Sequence, residues 1–319
     1  MTLLPLPTLS TRTVDLLLNN CVIAERTRWS VLKASGPALR DYLQGQITQN
    51  MDRLTNTAAI HGAILTPQGK AISELYLLEG CHDELLLLTP VDTANATVAR
   101  LRQFALGHTL RTGIVESMSV YSVQGTHASS ILQRLELAEP GVDWLSCSHH
   151  ADADLHAMVM PQSPHGYWII VPQTCMQQFS GQLHRVDENE VEAMRIIRGL
   201  PCFGMEWDAS IHPLNANLIE FDGVSFEKGC YVGQEVTSRL HWRGGIKKKL
   251  YRVAIDGHPD LLPCPISTSV AIGVLKSAAI DHEGNCVGIA WLPIETAESA
   301  APLSLDNGVM LKVLEVCHA

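Results

Sequence analysis

The chain has 319 residues and a mass of 34.9 kDa, enough for two domains with sizeable cores. Hydrophobic residues make up 46% and charged residues 18%, a balance that excludes a disordered chain. The formal charge of −10 argues against a general nucleic-acid coat while leaving room for a local basic site.

The opening stretch, Met1 to Ser10, is apolar and Pro-rich. It lacks a charged segment followed by a continuous apolar run, so the expectation is a cytoplasmic protein without a secretory signal. Ser35-Gly-Pro-Ala opens a helix predicted to run to about Gln49, with Leu39, Tyr42, Leu43, Gln46 and Ile47 at helical spacing. Ala58 to Leu65 and Lys70 to Leu78 read as strands joined by the turn Thr66-Pro-Gln-Gly69, and Glu84 to Thr89 as a third strand. The longest apolar runs, Leu85 to Leu88 and Trp168 to Val171, are far too short to span a bilayer. Asp92 is the predicted cap of a helix ending at Gly107.

Ile114 to Val123 then reads as a strand, Thr126 to Glu136 as a helix, and Leu155 to Met160 with Tyr167 to Val171 as a hairpin whose turn is Ser163-Pro-His-Gly166. Gln173 to Leu183 is helical by pattern. A further helix begins at Asp187, carries Arg195 and Arg198 in its last turn, and stops at Gly199 and Pro201. Hairpins mixed with helices indicate an α+β fold. After Gly245 the character changes. Leu250 to Ile255, Val270 to Leu275, Cys286 to Trp291 and Met310 to Val316 are short strands with no helical pattern between them, and Thr296 to Pro302 reads as a loop. Two domains are therefore expected: an α+β region over 1–245 and a small β-barrel over 246–319.

Nine cysteines are present and none forms a CxxC, which removes zinc ribbons, thioredoxin-like redox sites and common cluster-binding motifs. One thiol stands out. In Phe226-Glu-Lys-Gly-Cys-Tyr-Val-Gly-Gln-Glu235, Cys230 precedes a predicted helix whose first turn holds Gln234 and Glu235 and whose end is Gly244-Gly245. The helix dipole and the nearby Lys228 would both favour thiolate. The alternative is an inert buried thiol in a glycine turn. Arg239, Arg243, Lys247, Lys248, Lys249 and Arg252 follow. They read either as a site for an anionic ligand or partner, or as a solvated helix end plus a lysine-protected edge strand. Cys147-Ser-His-His-Ala-Asp-Ala-Asp-Leu-His156 carries metal-capable side chains without a recognisable ligand spacing, and a solvated loop is the favoured reading.

The Phe226–Glu235 stretch, with Pro213-Leu-Asn-Ala-Asn-Leu218 before it and Arg239 and Arg243 after it, resembles the YgfZ family of folate-binding iron–sulfur cluster assembly factors. Leu43-Gln-Gly-Gln-Ile-Thr-Gln-Asn50, Gly62-Ala-Ile-Leu-Thr-Pro-Gln-Gly69 and Arg195-Ile-Ile-Arg-Gly-Leu-Pro-Cys-Phe-Gly204 support the resemblance, which runs from about Ala34 into the β domain. It implies the architecture of the glycine cleavage T-protein superfamily: interlocked α+β units around a central folate cavity, then a β-barrel. It further implies an accessory factor for assembling or repairing clusters, of the four-iron type, that binds tetrahydrofolate. Partners would be A-type scaffold proteins and cluster-dependent clients, including tRNA-thiolating enzymes.

On this reading Cys230 is the working thiol, able to contact a cluster transiently, form a mixed disulfide or attack an electrophile on the ligand, with Lys228 tuning it. Gln234, Glu235, Arg239, Arg243, Arg195 and Asn215 are the expected ligand contacts. Many relatives carry Glu where this chain has Asn215. Two alternatives stand beside it. One is a folate-dependent aminomethyl- or methyltransferase using Glu74. It is disfavoured because Ser73-Glu74 replaces an Asp-Asp pair and Ile197, unable to hydrogen-bond a pterin, stands where those enzymes have glutamate. The other is a non-catalytic module binding RNA or protein through the basic run.

Overall fold

Two open β-sheets and one closed barrel carry the chain in a computed structural model that describes residues 5–81, 83–105, 109–160, 166–177, 183–268, 271–299 and 301–319. The elements run α1 (Thr11–Asn19), β1 (Val22–Glu25), β2 (Trp29–Ser35), α2 (Leu39–Gln44), β3 (Ile60–Leu65), β4 (Ala71–Glu79), β5 (Glu84–Pro90), α3 (Val91–Gln103), β6 (Arg111–Ile114), β7 (Met118–Gln124), α4 (Ser129–Arg134), β8 (Cys147–His150), β9 (Leu155–Val159), β10 (Gly166–Pro172) and α5 (Gln173–Gln177). They continue with β11 (His184–Arg185), α6 (Glu188–Ile197), α7 (Gln234–Trp242), β12 (Lys248–Asp256), β13 (Cys264–Ser267), β14 (Ala271–Ile280), β15 (Cys286–Pro293), α8 (Ile294–Ala297), β16 (Leu303–Leu305) and β17 (Met310–Val316). Contacts group these into two compact units. One comprises Met1–Val14, Asn189–Phe221 and Thr237–Ala319; the other comprises Asp15–Glu188 and Asp222–Val236.

The second unit holds both open sheets, ordered β3-β4-β5-β2-β6 and β11-β1-β7-β10-β9-β8. Strand alternation explains how each is covered. On β4, Leu75 and Leu77 join Leu39, Leu43, Val98 and Leu101 of α2 and α3 in one core, while Tyr76, pointing the other way, packs against Trp29 of β2 and Trp168 of β10. Trp29 and Trp168 meet edge to face at 4.7 Å. The facing surfaces of the two sheets are thus joined by an aromatic layer. Tyr121, Val123 and Ile169 on the far side of the six-stranded sheet pack under Ile131 and Leu132 of α4. Burial on both faces is why β5 reads as an uninterrupted leucine run, Leu85 to Leu88, instead of an alternating pattern.

The first unit is built on the barrel, closed in the order β12-β15-β14-β13-β16-β17. Its interior is filled by Val253, Ile266, Leu275, Ala290 and Leu292, all essentially inaccessible. Asn217 is a main fastening within this unit. In a left-handed conformation (φ 65), its amide donates to the carbonyls of Leu250 and Cys317 and accepts from the Leu250 N–H, each at 2.8 Å. A buried side chain replaces three backbone partners there.

Several local expectations are corrected. The helix expected over 35–49 is only α2, because Thr48 N–H and the Ala63 carbonyl pair instead and draw the chain onto β3. Asp92 lies inside the first turn of α3, whose cap position is Pro90. The strand expected over 114–123 is two strands, β6 and β7. The segment from Cys147 is not a loop but β8, paired antiparallel to β9. The barrel linker contains the single turn α8. The helix stop at Gly107, the hairpin turn at 163–165 and positions 178–182 of the helix expected to Leu183 lie outside the described residues, while its start is α5.

Candidate functional site

Three of the stretches singled out in the sequence meet in the second unit. Val232 N–H donates to the Gly45 carbonyl at 3.1 Å and Ser225 N–H to the Thr48 carbonyl at 3.0 Å. Thr48 Oγ1 donates to the Gly223 carbonyl at 2.6 Å and accepts from Ala63 N–H at 2.9 Å. Gly233 has φ +86, and a Cβ there would stand 2.8 Å from the Thr66 carbonyl oxygen and 2.9 Å from Leu65 Cβ. Only glycine permits both that backbone and that approach. The segment bearing Cys230 is therefore stitched to 45–49 and seated on the 65–66 turn.

Lys228 is buried, and its ammonium donates to the Ile47 carbonyl at 2.8 Å and the Gln49 carbonyl at 2.7 Å. The Tyr231 ring lies 5.1 Å from its nitrogen. Burial pushes its pKa down to about 7 against the pull of Asp52. This corrects the role expected from sequence: the ammonium serves two main-chain acceptors and anchors the loop, and none of its hydrogen bonds goes to the thiol. Cys230 is exposed, whereas of the eight other cysteines seven are buried and Cys175 is half-buried. It sits four positions before the start of α7 at Gln234, separated from the helix by the Tyr231–Gly233 turn. Accessibility on a fastened loop is what distinguishes it.

Gln234 and Glu235 open α7 as expected, Gln234 half-buried and Glu235 exposed. Arg239, Arg243 and Lys247 belong to the barrel unit. All three are exposed, without an ion-pair partner among the described residues, and Trp242 between them is 73% exposed. The other three cations of the basic run are consumed locally. Lys248 donates to the Ile272 carbonyl and lies over Trp291, Lys249 pairs with Glu220, and Arg252 pairs with Glu315. The lysines do not guard a sheet edge, since β12 is paired on both sides.

Arg195 is likewise corrected as a ligand contact. It is buried and committed to Glu192 at 3.0 Å and, through both terminal nitrogens, to Glu206 at 3.0 Å, while Glu206 also accepts from Cys202 N–H. Its other carboxylate and backbone acceptors close the 195–204 turn from inside, a use invisible in the sequence because Glu206 carries no motif. Asn215 sits on a 3-10 turn, Pro213–Ala216. Its Oδ1 and the Nε2 of His212, which caps that turn, are buried without a hydrogen-bond partner among the described residues. Leu214 N–H donates to His212 Nδ1 at 3.2 Å, and burial holds the His212 pKa down to about 4. The imidazole is therefore neutral at pH 7, with its proton on Nε2.

Glu74, the acid or base of the transferase alternative, is buried in β4 and bonded to His61 Nε2 at 2.8 Å. His61 stacks on Tyr76 at 4.8 Å. A pocket of about 230 Å³ bounded by Gln49, Arg53, Trp144 and Asp222 lies in the same unit, below the range of about 300–1,000 Å³ usual for cofactor-sized ligands.

No family model matches the chain. It is 28% identical over 229 residues to the tRNA-modifying protein YgfZ of Hamiltonella defensa subsp. Acyrthosiphon pisum (strain 5AT), covering 70% of this chain and 67% of that protein. It is 27% identical to the protein of the same name from Sodalis glossinidius (strain morsitans), covering 71% and 69%. The mitochondrial iron-sulfur cluster assembly factor IBA57 homolog of Dictyostelium discoideum is 26% identical over 270 residues, covering 75% of this chain and 64% of that one. In fold, the glycine cleavage system aminomethyltransferase T from Bartonella henselae matches with a TM-score of 0.82 at 15% identity, over 97% of this chain and 88% of that one. The chain is thus similar in sequence to YgfZ proteins and to an IBA57 homolog, and it shares its fold with a glycine cleavage aminomethyltransferase.

Proposed function

We propose that this protein is a cytoplasmic accessory factor for the assembly or repair of iron–sulfur clusters, of the four-iron type, that binds tetrahydrofolate and uses Cys230 as its working thiol. The observation that carries the reading is that Cys230 alone among nine cysteines is exposed, on a loop fixed by Lys228 and Gly233. A single thiol cannot hold a cluster, so Cys230 contributes one sulfur and the thiols of an A-type scaffold partner supply the rest. The exposed cations Arg239, Arg243 and Lys247 suit an acidic partner surface or the anionic tail of a folate.

The residues of the 213–216 turn fit a pterin-bearing cofactor. His212 Nε2–H is a buried donor and Asn215 Oδ1 a buried acceptor, both without partners among the described residues, and a pterin ring carries the complementary pair. When bound, the folate supplies a reduced pterin able to carry a one-carbon group; the chain's own part is to hold it by these two atoms. In a deletion strain, Cys230→Ala is expected to leave aconitase activity and tRNA thiolation at the level of the empty vector while the protein accumulates normally. Full rescue by Cys230→Ala would overturn the reading.

A further inference from the structure

We propose that the Cys81, Asp154 and His156 side chains form a zinc site with three protein ligands and a fourth position left to water. The Cys81 sulfur lies 3.6 Å from Asp154 Oδ1, His156 Nε2 lies 3.2 Å from the same oxygen, and all three ligand atoms fall within 4.8 Å of one another. Zinc bond lengths of about 2.3 Å to sulfur and about 2.0 Å to nitrogen and oxygen give tetrahedral edges of about 3.3–3.5 Å for the S···O and N···O pairs. The S···O and N···O edges match, and the S···N separation, within 4.8 Å, would close toward about 3.5 Å as the ion binds. The donor set of thiolate, imidazole and carboxylate is that of a borderline-soft divalent ion and not of magnesium or calcium.

The surroundings support the same site. Cys81 and His156 are buried at 5% and 1% exposure, while Asp154 is open on one side, which gives the ion a way in. The second carboxylate oxygen of Asp154 accepts from Lys33 Nζ at 2.6 Å, and Lys33 also pairs with Glu84 at 3.3 Å. Lys33 thus takes the oxygen that faces away from the cluster and fixes the carboxylate, the outer-shell arrangement that orients ligating carboxylates. Counting Glu84 and Lys33, a thiolate at Cys81 leaves the cluster at −2, which one Zn²⁺ balances. The thiol proton passes to solvent as the sulfur binds.

The site joins both open sheets of its unit. Cys81 follows β4 in the five-stranded sheet, and His156 lies on β9 of the six-stranded sheet. It is independent of the Cys230 reading, and its test is run on Cys230→Ser protein so that the exposed thiol contributes nothing. Added Co²⁺ is expected to bind one equivalent with a sulfur-to-cobalt charge-transfer band in the near ultraviolet. The band is expected to vanish in Cys81→Ser, and zinc affinity to fall at least tenfold in His156→Gln, with far-ultraviolet circular dichroism confirming that both variants fold. Zinc is also expected to raise the melting temperature of the Cys230→Ser protein but not that of its His156→Gln derivative. No charge-transfer band in the Cys230→Ser protein, or a band that persists in Cys81→Ser, would overturn the proposal.

Discussion

Lys228, two positions before the exposed Cys230, acts on its loop through the backbone alone. Its ammonium satisfies the carbonyls of Ile47 and Gln49 in a buried setting that lowers its pKa from 10.5 to about 7. Between those two values the unfolded chain binds a proton that the folded chain has released. Stability therefore rises with pH across this window, by at most about 1.4 kcal/mol per pH unit. Lys228→Met removes the titration. The stability of the wild type relative to Lys228→Met is expected to grow by about 2 kcal/mol from pH 7 to pH 9, as read from urea denaturation. A difference that stays flat over this range would show the ammonium to be solvated and the anchoring role wrong.

At the scale of elements, the loop carrying Cys230 is held by close contact with the 65–66 turn. Gly233→Ala would place a methyl against the Thr66 carbonyl and Leu65 and force a left-handed backbone on alanine, at a combined cost of about 2–3 kcal/mol. Hydrogen exchange at Val232, whose N–H is bonded to the Gly45 carbonyl, is expected to accelerate before global unfolding; unchanged protection would refute the seat described here. Much of this element structure was legible in the chain. Thr66-Pro-Gln-Gly69 marks its hairpin because Pro and Gly state the turn locally, and Cys230 stands out because a glycine-flanked thiol ahead of a helix is a local pattern. The jobs of Lys228 and Arg195 were not legible. Their partners, the Ile47 carbonyl and the Glu206 carboxylate, are set by tertiary packing and leave no mark in nearby sequence. The Cys81–His156 grouping was hidden for the same reason, and the 35–49 helix was overestimated because a β3 partner outcompeted its last turns.

For the molecule as a whole, the barrel strands depend on chain outside 246–319. Asn217 bonds Leu250 and Cys317, the Asn215 carbonyl accepts from Trp291 Nε1, Lys249 pairs with Glu220, and Thr8 bridges Ile280. A fragment of residues 246–319 leaves these groups unpaired and is expected to show poor dispersion in its amide NMR spectrum, whereas a well-dispersed spectrum would show the barrel to be self-sufficient. The chain also leaves the barrel unit at Phe221, spends Asp222–Val236 in the other unit, and returns at Thr237. The bond from Lys228 to Ile47 spans 181 positions. Contacts of such separation close late, since the entropy of a long loop must be overcome first. During synthesis the cysteine segment can settle only after the sheets encoded ahead of it are in place, so a newborn chain carries this exposed sulfur unmounted until its seat on 45–49 and the 65–66 turn exists.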